Sequence, residues 1–280
     1  MQTPILSAAA LAQLGGARVL DARSGDKGRS AYAQLHLRGA LHVDLERDLS
    51  GDPAHPERGG RHPLPSIDAW ARTLGRLGVD PETFVVIYDD QGGANAAARA
   101  WWMLRAVGHE KVAVVDGGWD AIVRAGAPLD VVVPGVEAKP PYPVKSWLRS
   151  TVTIDEVAAL AHDPAWLLVD VRAPERYRGE SESLDPIAGH VPGAVNLPLK
   201  DNLRADGTFK APSELRAQYD AARGGVPVEH LILSCGSGVT ACHTLLALEH
   251  AGLHGASLYV GSWSEWCRSG KPLARGPARG

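Results

Sequence analysis

The chemistry-bearing stretch of this chain is Ser234-Cys235-Gly236-Ser237-Gly238-Val239-Thr240-Ala241-Cys242. A short apolar run, His230-Leu231-Ile232-Leu233, precedes it, and a helical pattern from His243 to His250 follows. Cys235 therefore stands where a strand ends and a glycine-rich loop turns into a helix. Backbone N–H groups converge on a sulfur in that position, and the positive end of the helix dipole faces it. Both favour thiolate, the nucleophilic form. Gly236 and Gly238 permit close backbone approach, and Ser237 and Thr240 add hydroxyl donors. A cysteine that merely fills space needs none of these neighbours. The loop predicts covalent sulfur chemistry at Cys235.

Other cysteine chemistries fit less well. A phosphatase loop places an arginine six residues after the cysteine to clamp phosphate, whereas that position is Ala241. A dithiol redox pair has two intervening residues, and six separate Cys235 from Cys242. Cys242 and Cys267 read as packing residues. His243 beside Cys242 is too little for a metal site, so no metal and no cofactor are expected.

These groups are positioned by alternating short strands and helices. Strands are predicted at Arg18–Ala22, Phe84–Tyr88, Val112–Val115, Leu167–Val171, Leu231–Ser234 and Leu258–Val260, all short apolar runs suited to a buried parallel sheet. Helices are predicted at Ile67–Leu77, Ala94–Val107, Ile154–Ala161, Glu214–Ala221 and Val239–Ala251. Thr153-Ile154-Asp155-Glu156 is a capping-box signature. The alternation implies an α/β fold, with reactive loops beyond the strand C-termini. The halves also repeat. Val19-Leu20-Asp21-Ala22-Arg23 matches Leu168-Val169-Asp170-Val171-Arg172. His36–Val43 matches His190–Leu197, and Val115-Asp116-Gly117-Gly118-Trp119 matches Val260-Gly261-Ser262-Trp263. Three matches in one order predict two tandem domains, 1–130 and 151–280. The proline-rich stretch 131–150 reads as an extended linker. The first-half counterpart of the cysteine loop is Tyr88-Asp89-Asp90-Gln91-Gly92-Gly93-Ala94, so that half lacks a sulfur nucleophile.

Composition narrows the class. The 280 residues are 45% hydrophobic and 22% charged, with a net charge of −3. Such a balance gives no nucleic-acid footprint, and no apolar run is long enough for a membrane span. No leader peptide is visible at the N-terminus. Three cysteines fit free thiols in a reducing compartment, so the expected location is cytoplasmic.

The loop Cys235-Gly236-Ser237-Gly238-Val239-Thr240-Ala241 resembles the active loop of the two-domain rhodanese family, in the form carried by 3-mercaptopyruvate sulfurtransferases. Further marks are His190-Val191-Pro192-Gly193-Ala194, Trp101-Trp102-Met103-Leu104-Arg105, Gly117-Gly118-Trp119 and Gly261-Ser262-Trp263. The resemblance implies two rhodanese-like domains, each a short parallel sheet flanked by helices. It implies a double displacement in which Cys235 takes sulfur from a small donor as a persulfide. A thiol, cyanide or a thioredoxin-like protein then accepts it, and the protein acts as a monomer.

The resemblance further assigns Ser237, His62 and Asp44 to a relay that would serve a mercaptopyruvate donor. His62 and Asp44 come from the first half, which would put the site between the domains. It gives Arg176 to the donor's anionic group, and Gly236, Gly238, Val239 and Thr240 to the substrate cradle. Mercaptopyruvate enzymes often carry a second arginine nine residues beyond the first, where this chain has Asp185. That charge then falls to Arg61 or Arg178. Two alternatives stay open: thiosulfate as the donor, and a non-catalytic persulfide carrier.

Overall fold

The computed structural model describes residues 3–280. Two five-stranded, all-parallel sheets organise it. The first contains β1 (Ile5–Leu6), β2 (Arg18–Asp21), β3 (Leu41–His42), β4 (Val85–Tyr88) and β5 (Val112–Val115), in the order β1-β5-β4-β2-β3. The second contains β6 (Thr151–Val152), β7 (Leu167–Asp170), β8 (Val195–Asn196), β9 (Leu231–Ser234) and β10 (Ser257–Tyr259), in the order β8-β7-β9-β10-β6. Written from the opposite edge, the first order becomes β3-β2-β4-β5-β1. The two sheets are thus the same topology, as the repeated motifs require. The apolar runs at β4, β5 and β9 are buried throughout, as expected for strands covered on both faces.

The repeated motifs have a shared structural duty. At the end of β2, Asp21 accepts the N–H and side chain of Arg23, whose Nη2 donates to the carbonyl of Leu35, just before His36. At the end of β7, Asp170 holds Arg172 the same way, and Arg172 donates to the carbonyl of Gly189, just before His190. Each histidine ring stacks on a tyrosine of its own unit, Tyr32 or Tyr177. A buried arginine survives here because it is paired with a carboxylate and also donates to a carbonyl.

Five predicted helices are present within a few residues: Ile67–Arg76, Ala96–Ala106, Ile154–Leu160, Pro212–Arg223 and Ala241–His250. Thr153 and Glu156 form the expected capping box. Further helices at Gly25–Gln34, Gly118–Arg124, Pro174–Tyr177 and Ser262–Trp266 lack a clear apolar period and were not predicted from sequence. The two-residue strands β1, β3, β6 and β8 are too brief to show one.

Contacts divide the chain into two compact units. One holds the chain up to Gly51, Pro65–Leu148 and Ala205–Thr208; the other holds Asp52–Leu64, Arg149–Arg204 and Phe209–Gly280. Most of the proline-rich stretch thus belongs to the first unit. There the N–H groups of Lys139 and Tyr142 donate to the carbonyls of Gly75 and Ala71. Segment Asp52–Leu64, which precedes Pro65 in the first half of the sequence, belongs to the second unit. None of the described helices is long and apolar enough to cross a membrane.

Candidate active site

Cys235 follows the last residue of β9, and six residues later the helix Ala241–His250 begins. The loop between them is stitched to the segment after β10. Cys235 N–H donates to Ser262 Oγ at 3.1 Å, and the carbonyls of Cys235 and Gly236 accept from Trp263 and Ser264 N–H. Ser262 adopts a φ of 51°, a left-handed conformation that non-glycine residues rarely take. Its hydroxyl donates to the Tyr259 carbonyl. Gly238 has a φ of 73°, and its N–H donates to Cys235 Sγ at 3.1 Å. A Cβ on Gly238 would stand 2.2 Å from the Val260 carbonyl oxygen, so only glycine fits. An amide aimed at sulfur from a helix-leading loop offers a donor to negative charge that develops there during reaction.

Beyond Gly238, the carbonyls of Val239 and Thr240 accept from Cys242 and His243 N–H and carry the loop into the helix. Cys242 and Cys267 are buried and unpaired by disulfide, and their thiols point at the carbonyls of Gly238 and Ser264. Burial pushes the Cys267 thiol up, which keeps it protonated.

Ser237 sits close to the sulfur in sequence and hydrogen-bonds to His62 Nδ1 at 2.7 Å. The histidine arrives on a strap fixed to the same segment that holds the cysteine loop. Gly59 N–H donates to Glu265 Oε1, and Arg61 N–H donates to Ser264 Oγ. Gly60, at φ 78°, passes so close to Gly261 that a Cβ would meet its carbonyl oxygen at 2.4 Å. Cys235, Ser237 and His62 are thus brought together within one unit. Asp44 belongs to the other unit, where its carboxylate pairs with Arg29 and accepts the N–H groups of Glu46 and Arg47. Burial pushes the Asp44 carboxyl up, and these bonds overcome that and hold it below the usual carboxylate range.

Two arginine heads reach the loop. A Cβ placed on Gly236 would lie 3.3 Å from Arg61 Nη2 and 3.6 Å from both terminal nitrogens of Arg176. Arg178, the other candidate for a second cation, instead pairs with Glu180. Asp185 is held by Arg61 and Arg268, and Glu182 is held by Arg176. Burial pushes Glu182 up, but the Leu184 N–H and Arg176 bring it below its ordinary value. Behind them Arg172 lies over the Trp263 ring, and the carboxylates of Asp170 and Glu182 offset its burial and keep it charged. Sequence reasoning missed Ser262, Ser264, Glu265, Glu182 and Arg268. Only Ser262 sat in a recognised motif.

The model of the rhodanese-like domain matches residues 7–125 and again 153–269. The chain belongs to the rhodanese-like family. It is 42% identical over 253 residues to a probable 3-mercaptopyruvate sulfurtransferase of Pseudomonas aeruginosa, covering 89% of this chain and 87% of that one. It is 35% identical over 271 residues to the thiosulfate sulfurtransferase of Bos taurus, covering 92% and 87%. The structure of 3-mercaptopyruvate sulfurtransferase from Leishmania major superposes with a TM-score of 0.81 at 30% identity, covering 94% of this chain and 73% of that one.

The first rhodanese-like domain has no cysteine at the matching loop. Asp89 follows β4 there, and its buried carboxylate accepts the N–H groups of Gln91, Gly93, Asn95 and Ala97. Burial outweighs the four amides and holds that carboxyl above its ordinary value. The rhodanese-like loop thus gathers amides around a centre in this domain too, with the oxygens of a fixed side chain as that centre.

Proposed function

We propose that this protein is a sulfurtransferase that moves sulfur from 3-mercaptopyruvate to a thiol or cyanide through a Cys235 persulfide. The Cys235 thiolate attacks the donor sulfur. An S–S bond forms, the donor C–S bond breaks, and the electron pair leaves with carbon as the enolate of pyruvate. A proton delivered through Ser237 and His62 converts that enolate to pyruvate. In the second step an acceptor thiolate or cyanide attacks the outer sulfur, and Cys235 is released as thiolate. The split into two displacements is ordinary covalent catalysis.

The observation that carries this reading is the 2.7 Å bond between Ser237 and His62, beside a sulfur that already receives the Gly238 N–H. A hydroxyl–imidazole pair suits a leaving group that must gain a proton. Arg176 and Arg61 supply charge for the donor carboxylate, with Gly236, Gly238, Val239 and Thr240 as the cradle. Asp44 is assigned as the carboxylate of the relay on the family resemblance. A double-mutant cycle of Asp44→Asn with His62→Ala tests that assignment: a coupled pair gives a double variant about as slow as His62→Ala alone, and independent losses that multiply reject it. The free cysteines fit a cytoplasmic monomer that meets reduced thiols or a thioredoxin-like acceptor.

Thiosulfate is the second donor to consider, since a relative with 35% identity carries that name. Steady-state kcat/KM for the two donors on one preparation decides between them. A higher value for mercaptopyruvate supports the proposal, and a higher value for thiosulfate replaces it. Stable sulfur labelling without turnover of either donor would make the protein a persulfide carrier.

A further inference from the structure

Glu182 and Asp185 lie on the segment between the helix Pro174–Tyr177 and His190, with carboxylates only 2% and 0% exposed. Buried carboxylates require partners, and here the partners are arginines. Asp185 Oδ1 accepts from Arg61 Nε at 3.1 Å and from Arg268 Nη1 at 2.8 Å. Its Oδ2 accepts from Arg61 Nη2 at 3.4 Å and lies 4.0 Å from Arg176 Nη2. Arg268 is itself tied to the Ser264 carbonyl, and Ser264 Oγ accepts the Arg61 N–H. Glu182 accepts from Arg176 Nε at 3.2 Å and Nη2 at 2.8 Å. Both held guanidiniums meet at the Gly236 peptide, next to Cys235.

We propose that Asp185 is a positioning residue for donor recognition: it fixes Arg61 beside Arg176 over Gly236, so that the two guanidiniums clamp the anionic head of the donor. This rests on the sulfurtransferase reading for the identity of that anion and on the geometry for everything else. Arg61 has a long side chain, so an anchored head spares the ordering entropy that a loose one would lose on each binding event. Two effects of Asp185 oppose each other. Its charge alone repels an anion, and the order it imposes on Arg61 attracts one. The effects have opposite signs, so removing the charge while keeping the shape separates them.

The test uses Asp185→Asn in the full chain, with a thermal melt to verify folding. KM for mercaptopyruvate is expected to rise about tenfold, with kcat held within about threefold, the pattern of lost uniform binding. An unchanged or lowered KM overturns the proposal, because a mere repeller would tighten binding when neutralised. A second readout needs no turnover. Cys235 is alkylated with iodoacetate and, separately, with its neutral counterpart iodoacetamide. The ratio of the two rates is expected to fall about fivefold in Asp185→Asn and in Arg61→Gln. An unmoved ratio overturns the clamp. Arg61 is part-exposed, so Arg61→Gln decides the question if Asp185→Asn fails to fold. A ratio that falls in a protein that turns over neither donor leaves the clamp standing and sinks the sulfurtransferase reading. Normal turnover with an unmoved ratio does the reverse.

Discussion

At the scale of single residues, the site is a sulfur that receives the Gly238 amide, in a loop whose Ser237 bonds to His62. His62→Ala removes the proton path and leaves the sulfur cradle untouched. It should slow mercaptopyruvate turnover by about 10²-fold or more and thiosulfate turnover far less, since sulfite leaves without needing a proton on carbon. Parallel kcat measurements check this, and equal losses would remove His62 from the relay. Gly238→Ala should act on the cradle. The new methyl cannot occupy a space 2.2 Å from the Val260 oxygen, so the loop must shift and the N–H bond to sulfur is lost. Iodoacetamide labelling of Cys235 at neutral pH is expected to slow by about tenfold, because the attacking sulfur loses its amide donor and its fixed position. Cys235 stood out because it heads a glycine-rich loop between a strand and a helix, whereas His62, a lone histidine in a Gly/Pro stretch, entered only through the family resemblance. The pairing of Arg61 with Asp185 was not legible in the sequence, because 124 residues separate two ordinary-looking charges.

At the scale of elements, the helix behind the loop contains an anomaly. His243 is fully buried, stacks on Phe209, and has no hydrogen-bond partner at either ring nitrogen. Burial pushes it down to about 3, so it stays neutral in the folded protein. The unfolded chain takes up this proton below about pH 6.5 and the folded chain does not until about pH 3, so the unfolded state binds more protons across that window. Stability is then present in full above about pH 6.5 and falls with acidification by on the order of 1 kcal/mol per pH unit. His243→Leu should raise stability at neutral pH by about 1 kcal/mol, by removing an unsatisfied donor, and should flatten the acid limb. Urea unfolding at several pH values checks both; an unchanged acid limb would mean that His243 has a partner. The strap Asp52–Leu64 is the element that the sequence concealed most completely. It reads as a polar Gly/Pro loop of the first half, and the bonds of Gly59 and Arg61 to Glu265 and Ser264 attach it to the second unit. Four-residue apolar strands and periodic helices were legible; two-residue strands, and helices without a clear apolar period such as Gly25–Gln34, were not.

At the scale of the whole molecule, one topology occurs twice with different acceptors in the same loop. Cys235 keeps a replaceable sulfur in the second unit, and Asp89 fills the first with a carboxylate that cannot leave. The repeated Asp-x-Arg and histidine motifs made this duplication visible in the sequence, because each supports the same buried arginine. Asp89→Ala should strip four amides of their acceptor and lower stability by several kcal/mol. The folded fraction should still load sulfur on Cys235. Calorimetry with intact-mass labelling checks this, and loss of loading in a folded protein would give the first unit a chemical part.

The most direct test of the central claim is mass spectrometry of the protein after brief exposure to mercaptopyruvate. One added sulfur, about 32 Da, should map to the peptide containing Cys235, disappear with cyanide, and be absent from Cys235→Ser. A label on Cys242 or Cys267, or none on a protein that still turns over donor, would contradict it.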